Sequence, residues 1–140
     1  MGAGFIPPDH WAEVTGMLRK SGSVVLDANG TGVILFDVDN GSQRWVVNSI
    51  VTTTNQAATA TLVPYCTGCL NTYDVSVISP GNQFGTTYSG NNDTFGGSLD
   101  VSPTDTFCVL YYPPPGESGA ALAGVVAAAV IRGTYYTRRT

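Results

Sequence analysis

Ser23-Val24-Val25-Leu26-Asp27-Ala28-Asn29-Gly30-Thr31-Gly32-Val33-Ile34-Leu35-Phe36-Asp37 decides the fold class. Two runs rich in β-branched and aromatic residues flank Asn29-Gly30, a pair that tolerates the positive φ of a tight hairpin turn. The stretch reads as a strand over Ser23–Ala28, a turn, and a strand over Thr31–Asp37. Outward from it the same alternation of strand and turn chemistry continues. Asp39-Asn40-Gly41 makes the next turn, and Gln43–Thr54 follows as a long strand. That strand carries Trp45, Val47 and Val51 on one face and Val46 and Ile50 on the other, the pattern of a central strand. Ala58–Tyr65, Tyr73–Ser79, Phe84–Tyr88, Gly97–Val101 and Thr106–Tyr112 complete the series, with a rigid break at Pro113-Pro114-Pro115-Gly116. The last segment, Ala120–Tyr136, mixes alanines with Val125, Val126, Val130, Ile131 and Tyr135. Gly124 and Gly133 weaken a helix there, so a long strand is expected.

Eight or nine strands at this spacing predict an all-β sandwich, jelly-roll-like. One helix is expected, over residues 9–20. Asp9 is placed to cap it, Trp11, Val14 and Leu18 fall on one face, Arg19 and Lys20 suit its C-terminal end, and Gly22 stops it. The division drawn is an arm with a short helix over 1–21 and a sandwich over 22–140.

Composition agrees. Of the 140 residues 11% are charged, against roughly 25% in an average domain, and there are 17 glycines, 8 prolines and 17 threonines. No Lys or Arg occurs between Trp45 and Ile131. A nucleic-acid face needs clustered cations, so none is expected. The longest apolar run, Ala120–Ile131, is shorter than the about 20 residues of a membrane span, and the N-terminus has no signal-peptide pattern. The expectation is a protein made in a cytoplasm with no membrane partner.

Chemistry-bearing residues are few. Cys66-Thr67-Gly68-Cys69, with Cys108 and His10, would supply a Cys3His metal set, but structural zinc sites show paired knuckles and this pair stands alone. A redox Cys-x-x-Cys opens a helix in a βαβ setting, whereas this one falls in a loop between β segments. Ordinary buried cysteines come first in order, then a 66–69 or 66–108 disulfide, then metal. His10, the single histidine, lacks the nucleophile and orienting group of a catalytic base. Asp37–Gly41 resembles the start of a calcium loop, yet Ser42 and Asn48 stand where that loop needs glycine and glutamate. No catalytic residues and no cofactor are expected. Tyr88 and Phe95, beside Asn91 and Asn92, are the candidates for a surface contact such as sugar stacking. Phe5, Ile6, Trp11, Val14 and Leu18 form a candidate protein-docking face.

Three stretches together, Arg44-Trp45-Val46-Val47, Thr87–Thr94 and Pro115–Ala120, resemble small virion proteins encoded among the structural genes of tailed phages that infect actinobacteria. The likeness spans residues 22–136; the Pro113–Pro115 run and the Cys-x-x-Cys step depart from it. The resemblance implies a non-enzymatic, homo-oligomeric building block located in the virion: a capsid decoration protein, or a head, neck or tail accessory. Its expected partners are major capsid, portal, neck or tail proteins. An adhesion module that binds a host glycan is the alternative.

Overall fold

The computed structural model describes residues 14–37, 43–71, 83–87 and 93–137, with the backbone alone at 14 and 83–87. Eight strands run β1 (Val14–Val25), β2 (Gly32–Asp37), β3 (Gln43–Thr54), β4 (Tyr65–Leu70), β5 (Gln83–Thr87), β6 (Asp93–Val101), β7 (Thr106–Tyr112) and β8 (Val126–Thr137). They form two four-stranded sheets, sheet A in the order β1-β8-β3-β6 and sheet B in the order β2-β7-β4-β5. The pairs β1/β8, β2/β7, β3/β6 and β4/β5 are all antiparallel. Each pair of strand numbers sums to nine, as in one long antiparallel ribbon folded over on itself. That is a jelly roll, and the expected all-β sandwich is the architecture observed.

The expected hairpin at Asn29-Gly30 is a different object. β1 pairs with β8 and β2 with β7, so the segment between them is a corner that carries the chain from one sheet to the other. The turn chemistry itself holds, since Gly30 has φ +75. The Asp27 carboxylate accepts bonds from the Asn29 N–H at 2.9 Å, the Thr31 N–H at 3.1 Å and the Thr31 hydroxyl at 2.8 Å. The Thr31 N–H first, then the Thr31 hydroxyl and the Asn29 N–H, hold the Asp27 carboxyl below its usual range. A Cβ at Gly30 would lie 2.6 Å from the Gly119 carbonyl oxygen, so the corner is closed against the 3-10 turn Gly119–Leu122.

The helix expected over 9–20 is replaced, from Val14 onward, by strand β1, which runs unbroken across residues 21 and 22. Residues 9–13 lie outside the described chain. Gly22 is a packing glycine rather than a helix stop: a Cβ there would meet Ile34 Cγ2 at 2.6 Å and Phe36 Cζ at 3.5 Å. The space a side chain would fill belongs to sheet B. Leu18, expected on a docking face, is buried at 3% exposure in the chain's own core.

β3 begins and ends where expected, and its apolar residues on both parities have a local cause. The register slips between Val47 and Ser49 against both β6 and β8. The bulge at Asn48 reverses the alternation, so Trp45 and Val47 face inward before it and Ile50 and Thr52 after it. Gly133 accommodates the bulge, since a Cβ there would collide with the Val46 carbonyl. Ala58–Tyr65 is not a strand: residues 57–64 form a loop, tied by the Gln56 side-chain amide donating to the Leu62 carbonyl at 2.8 Å. Ala120–Tyr136 divides into the 3-10 turn, a corner at Gly124 (φ +81) and β8. The main core lies between the sheets and contains Trp45, Ile50, Val101, Phe107, Val109, Tyr111, Leu122, Ala127 and Ile131. Among the described residues no helix is long and apolar enough to cross a membrane.

Candidate functional site

The cysteines are the most reactive side chains the sequence singled out, and strand geometry decides what they can do. The Cys-x-x-Cys step lies inside β4, not in a loop. Side chains alternate faces along a strand, so residues three apart point to opposite sides. Cys66 accordingly enters the main core between the sheets, while Cys69 joins Cys108 and Leu110 in a small cluster on the outer face of sheet B. Register agrees: Cys66 stands opposite Tyr111, and Cys69 opposite Cys108. Neither a 66–69 nor a 66–108 disulfide fits this arrangement. All three cysteines are free and buried. No group of three or more metal-ligating side chains occurs among the described residues, and His10 lies outside them.

Cys66 belongs to a buried polar cluster that joins the two sheets. The hydroxyls of Thr52 on β3 and Tyr111 on β7 are 2.6 Å apart, and the Tyr111 hydroxyl donates to the Ala128 carbonyl on β8 at 3.0 Å. Burial pushes the Cys66 thiol up to about 12, against the lesser opposing effect of hydrogen bonds with Thr52 and Tyr111. Burial likewise raises the Tyr111 phenol, with the neighbouring Cys66 adding to the rise. A nucleophilic thiol needs the opposite shift, toward thiolate at neutral pH. The cluster is suited to holding the sheets in register.

The carboxylates that can be traced also serve the fold. Asp105 accepts from the Ser102 N–H at 3.1 Å, the Ser102 hydroxyl at 2.9 Å and the Asn71 amide at 2.9 Å. Partial burial raises its pKa, but these donors outweigh burial and the net shift is downward. Asp37 accepts from the Thr106 hydroxyl at 2.7 Å, and Asp100 pairs with Arg44 at 3.3 Å. Arg44 also lies over the Tyr136 ring, 5.1 Å from its centroid.

Of the aromatic contact candidates, Phe95 on β6 is half-buried and packs against the main core. Tyr88, Asn91 and Asn92 lie outside the described residues, as do Phe5, Ile6, Trp11 and most of the Asp37–Gly41 turn. Val14 starts β1 opposite Thr137. What the sequence reading missed is the outer face of sheet A. Three of the four large apolar residues found exposed are there: Met17 at 90%, Val25 at 61% and Val126 at 38%. Their signal was available in the 23–25 strand but was masked at Met17 by the helical reading.

No family model matches the chain, and no curated protein matches it. Among solved structures it is similar to a protein of Bacillus endospore appendages, which form a novel family of disulfide-linked pili. The identity is 12% and the TM-score 0.45, with 97% of each chain covered. It is also similar to the VP2 subviral particle of infectious bursal disease virus, at 10% identity and TM-score 0.34. That match covers 92% of this chain and 43% of the other.

Proposed function

We propose that this chain is a non-enzymatic structural subunit of a bacteriophage virion, a capsid decoration or head/neck accessory protein that joins the particle lattice as an oligomer. The observation that supports it most is the use made of its polar chemistry. The buried hydroxyls and thiol hold two sheets together, the traced carboxylates close turns or pair with neighbouring strands, and the outer face of sheet A leaves Met17, Val25 and Val126 exposed. A jelly roll is a fold that virus capsids use, although lectins and cupins use it too. The apolar N-terminal residues Phe5, Ile6 and Trp11 serve in this reading as the docking arm.

The location and copy number of the chain in an intact particle, measured by cryo-electron microscopy with quantitative mass spectrometry, test the reading directly. Presence at an integer multiple of the lattice symmetry is expected; absence from purified particles overturns it. The docking arm is tested by removing residues 1–13. The cut has to stop there, because β1 begins at Val14 and Leu18 is part of the core. The shortened chain should fold and fail to join particles; incorporation at full occupancy removes the arm from the proposal.

A further inference from the structure

The outer face of sheet A carries a charge arrangement that nothing within the described chain accounts for. β1 and β8 pair without irregularity, and Arg19 stands opposite Arg132. The direct bond from the Leu26 N–H to the Val125 carbonyl at 2.9 Å fixes the phase of this ladder. Counting back from it in steps of two leaves 19/132 as a non-hydrogen-bonded pair, the closer of the two kinds, with Cα atoms about 4.5 Å apart. Two exposed guanidinium-bearing side chains therefore start from the nearest positions a sheet offers, and like charges so placed are destabilising. Across the sheet in the same row β3 contributes Ser49 and β6 contributes Gly96. In the row beyond, the one carboxylate is Asp100, and it pairs with Arg44 at 3.3 Å. Two residues before Arg19 on the same face is Met17, 90% exposed.

The opposite side of the sandwich repeats the spacing with the sign reversed. β2 is the edge strand of sheet B on the side where β1 is the edge of sheet A. Its outward residues include Leu35, 51% exposed, and then Asp37, also exposed, whose carboxylate is steadied by the Thr106 hydroxyl. One face of the molecule thus offers an apolar residue followed two positions on by a cation, and the other face an apolar residue followed two positions on by an anion. We propose that the outer face of sheet A around Met17, Arg19 and Arg132 docks the Leu35–Asp37 face of a second copy of this chain, head to tail. The contact sets apolar against apolar and the arginine pair, which no carboxylate neutralises among the described residues, against a carboxylate. Because the two surfaces differ, the contact is heterologous and can propagate from copy to copy. It rests on the lattice-subunit reading and deepens it by naming a self-contact of the subunit.

The test uses the full chain in solution, followed by analytical ultracentrifugation over a wide concentration range at low and at moderate salt. The wild type should associate with increasing concentration, and less so as salt screens the contact. Arg19→Glu/Arg132→Glu and, separately, Asp37→Lys should each weaken association by about tenfold or more, because like charges then face one another. Mixing these two variants should restore association, since the intact Asp37 face of the first meets the intact arginine face of the second. Thermal melts of each variant confirm folding, and Arg19→Gln/Arg132→Gln, which removes the attraction without adding repulsion, should weaken association in the same direction but less. A wild type that stays monomeric throughout overturns the proposal, and so does an Asp37→Lys variant that associates normally or a mixture that is not restored. Each of these readouts is independent of whether the chain is found in particles, so a failure here and a failure of the particle reading are told apart.

Discussion

The centre of sheet B and the outer side of sheet A differ in how many of their faces are covered. β4 and β7 are buried almost without interruption from end to end, on both sides of the sheet. β8 alternates, with Ala127, Ala129 and Ile131 inside and Val126 and Arg132 outside. The first pattern takes reactive groups out of use: inside β4 the Cys66 thiol is driven away from its ionised form, and its hydrogen-bond partners are Thr52 on the opposite sheet and Tyr111 on its own. The second leaves methionine, valine and a pair of arginines facing outward. Suggestive chemistry in the sequence is thus a poor guide to exposed chemistry here, because strand period and sheet order decide which side of the molecule each residue meets.

The contrast predicts a graded set of effects. Phe107→Ala removes a fully buried ring from β7 and should cost about 3–5 kcal/mol, measured as a lowered urea midpoint at unchanged slope. A loss of under one kilocalorie would mean that the two-sided burial of sheet B is not a rigid core. Tyr111→Phe keeps the ring and removes the hydroxyl that joins Thr52 and the Ala128 carbonyl. It should cost about 1–3 kcal/mol, the range for leaving buried polar partners without their bond.

The third effect depends on pH. The Cys66 thiol has a folded pKa of about 12 against an ordinary value of 9.0. The folded state therefore holds this proton more tightly than the unfolded state does. Stability from this group is complete below pH 9 and is lost as pH rises from there toward 12, by about 1 kcal/mol per pH unit. Chemical denaturation at stepped alkaline pH should show the decline starting near pH 9 in the wild type. In Cys66→Ala the decline above pH 9 should become shallower, because the proton that this thiol holds in the folded state is gone. An unchanged slope would assign the alkaline loss to other groups.

Which of these features could be read in advance follows from how local their cause is. β3 and β7 were legible to the residue, because turn-formers bound them and their alternation is strong. β1 was not. Val14 and Leu18 stand four apart with a cation pair after them, which imitates an amphipathic helix, and the glycines that belong to the strand make sense only once their neighbours in both sheets are present. Gly22 yields its space to Ile34 and Phe36, while a Cβ at Gly16 would collide with the Tyr135 ring. The inversion of faces along β3 comes from one extra residue, Asn48, which no alternation rule marks. The pairing of Cys69 with Cys108 depends on a register between strands 39 positions apart in sequence, and the opposition of Arg19 to Arg132 on a register across almost the whole chain. Pair chemistry of this kind becomes visible only with the topology.

The smallest stability effect separates folding from recognition most cleanly. Arg19→Glu converts the cross-strand pair with Arg132 from like to opposite charge while leaving the β1–β8 ladder intact. On stability alone the variant should gain, by about 0.2–1 kcal/mol, the usual range for a favourable cross-strand pair, read as a raised thermal midpoint at low salt that converges on the wild type as salt increases. A residue kept only for the fold would show its whole effect in that melt. If Arg19 serves a contact between copies, the same substitution should stabilise the single chain and weaken its self-association at once. A variant that destabilises the isolated chain would instead mean that Arg19 has a stabilising partner within it, and the contrast between the closed sheet B and the open sheet A would lose its charged half.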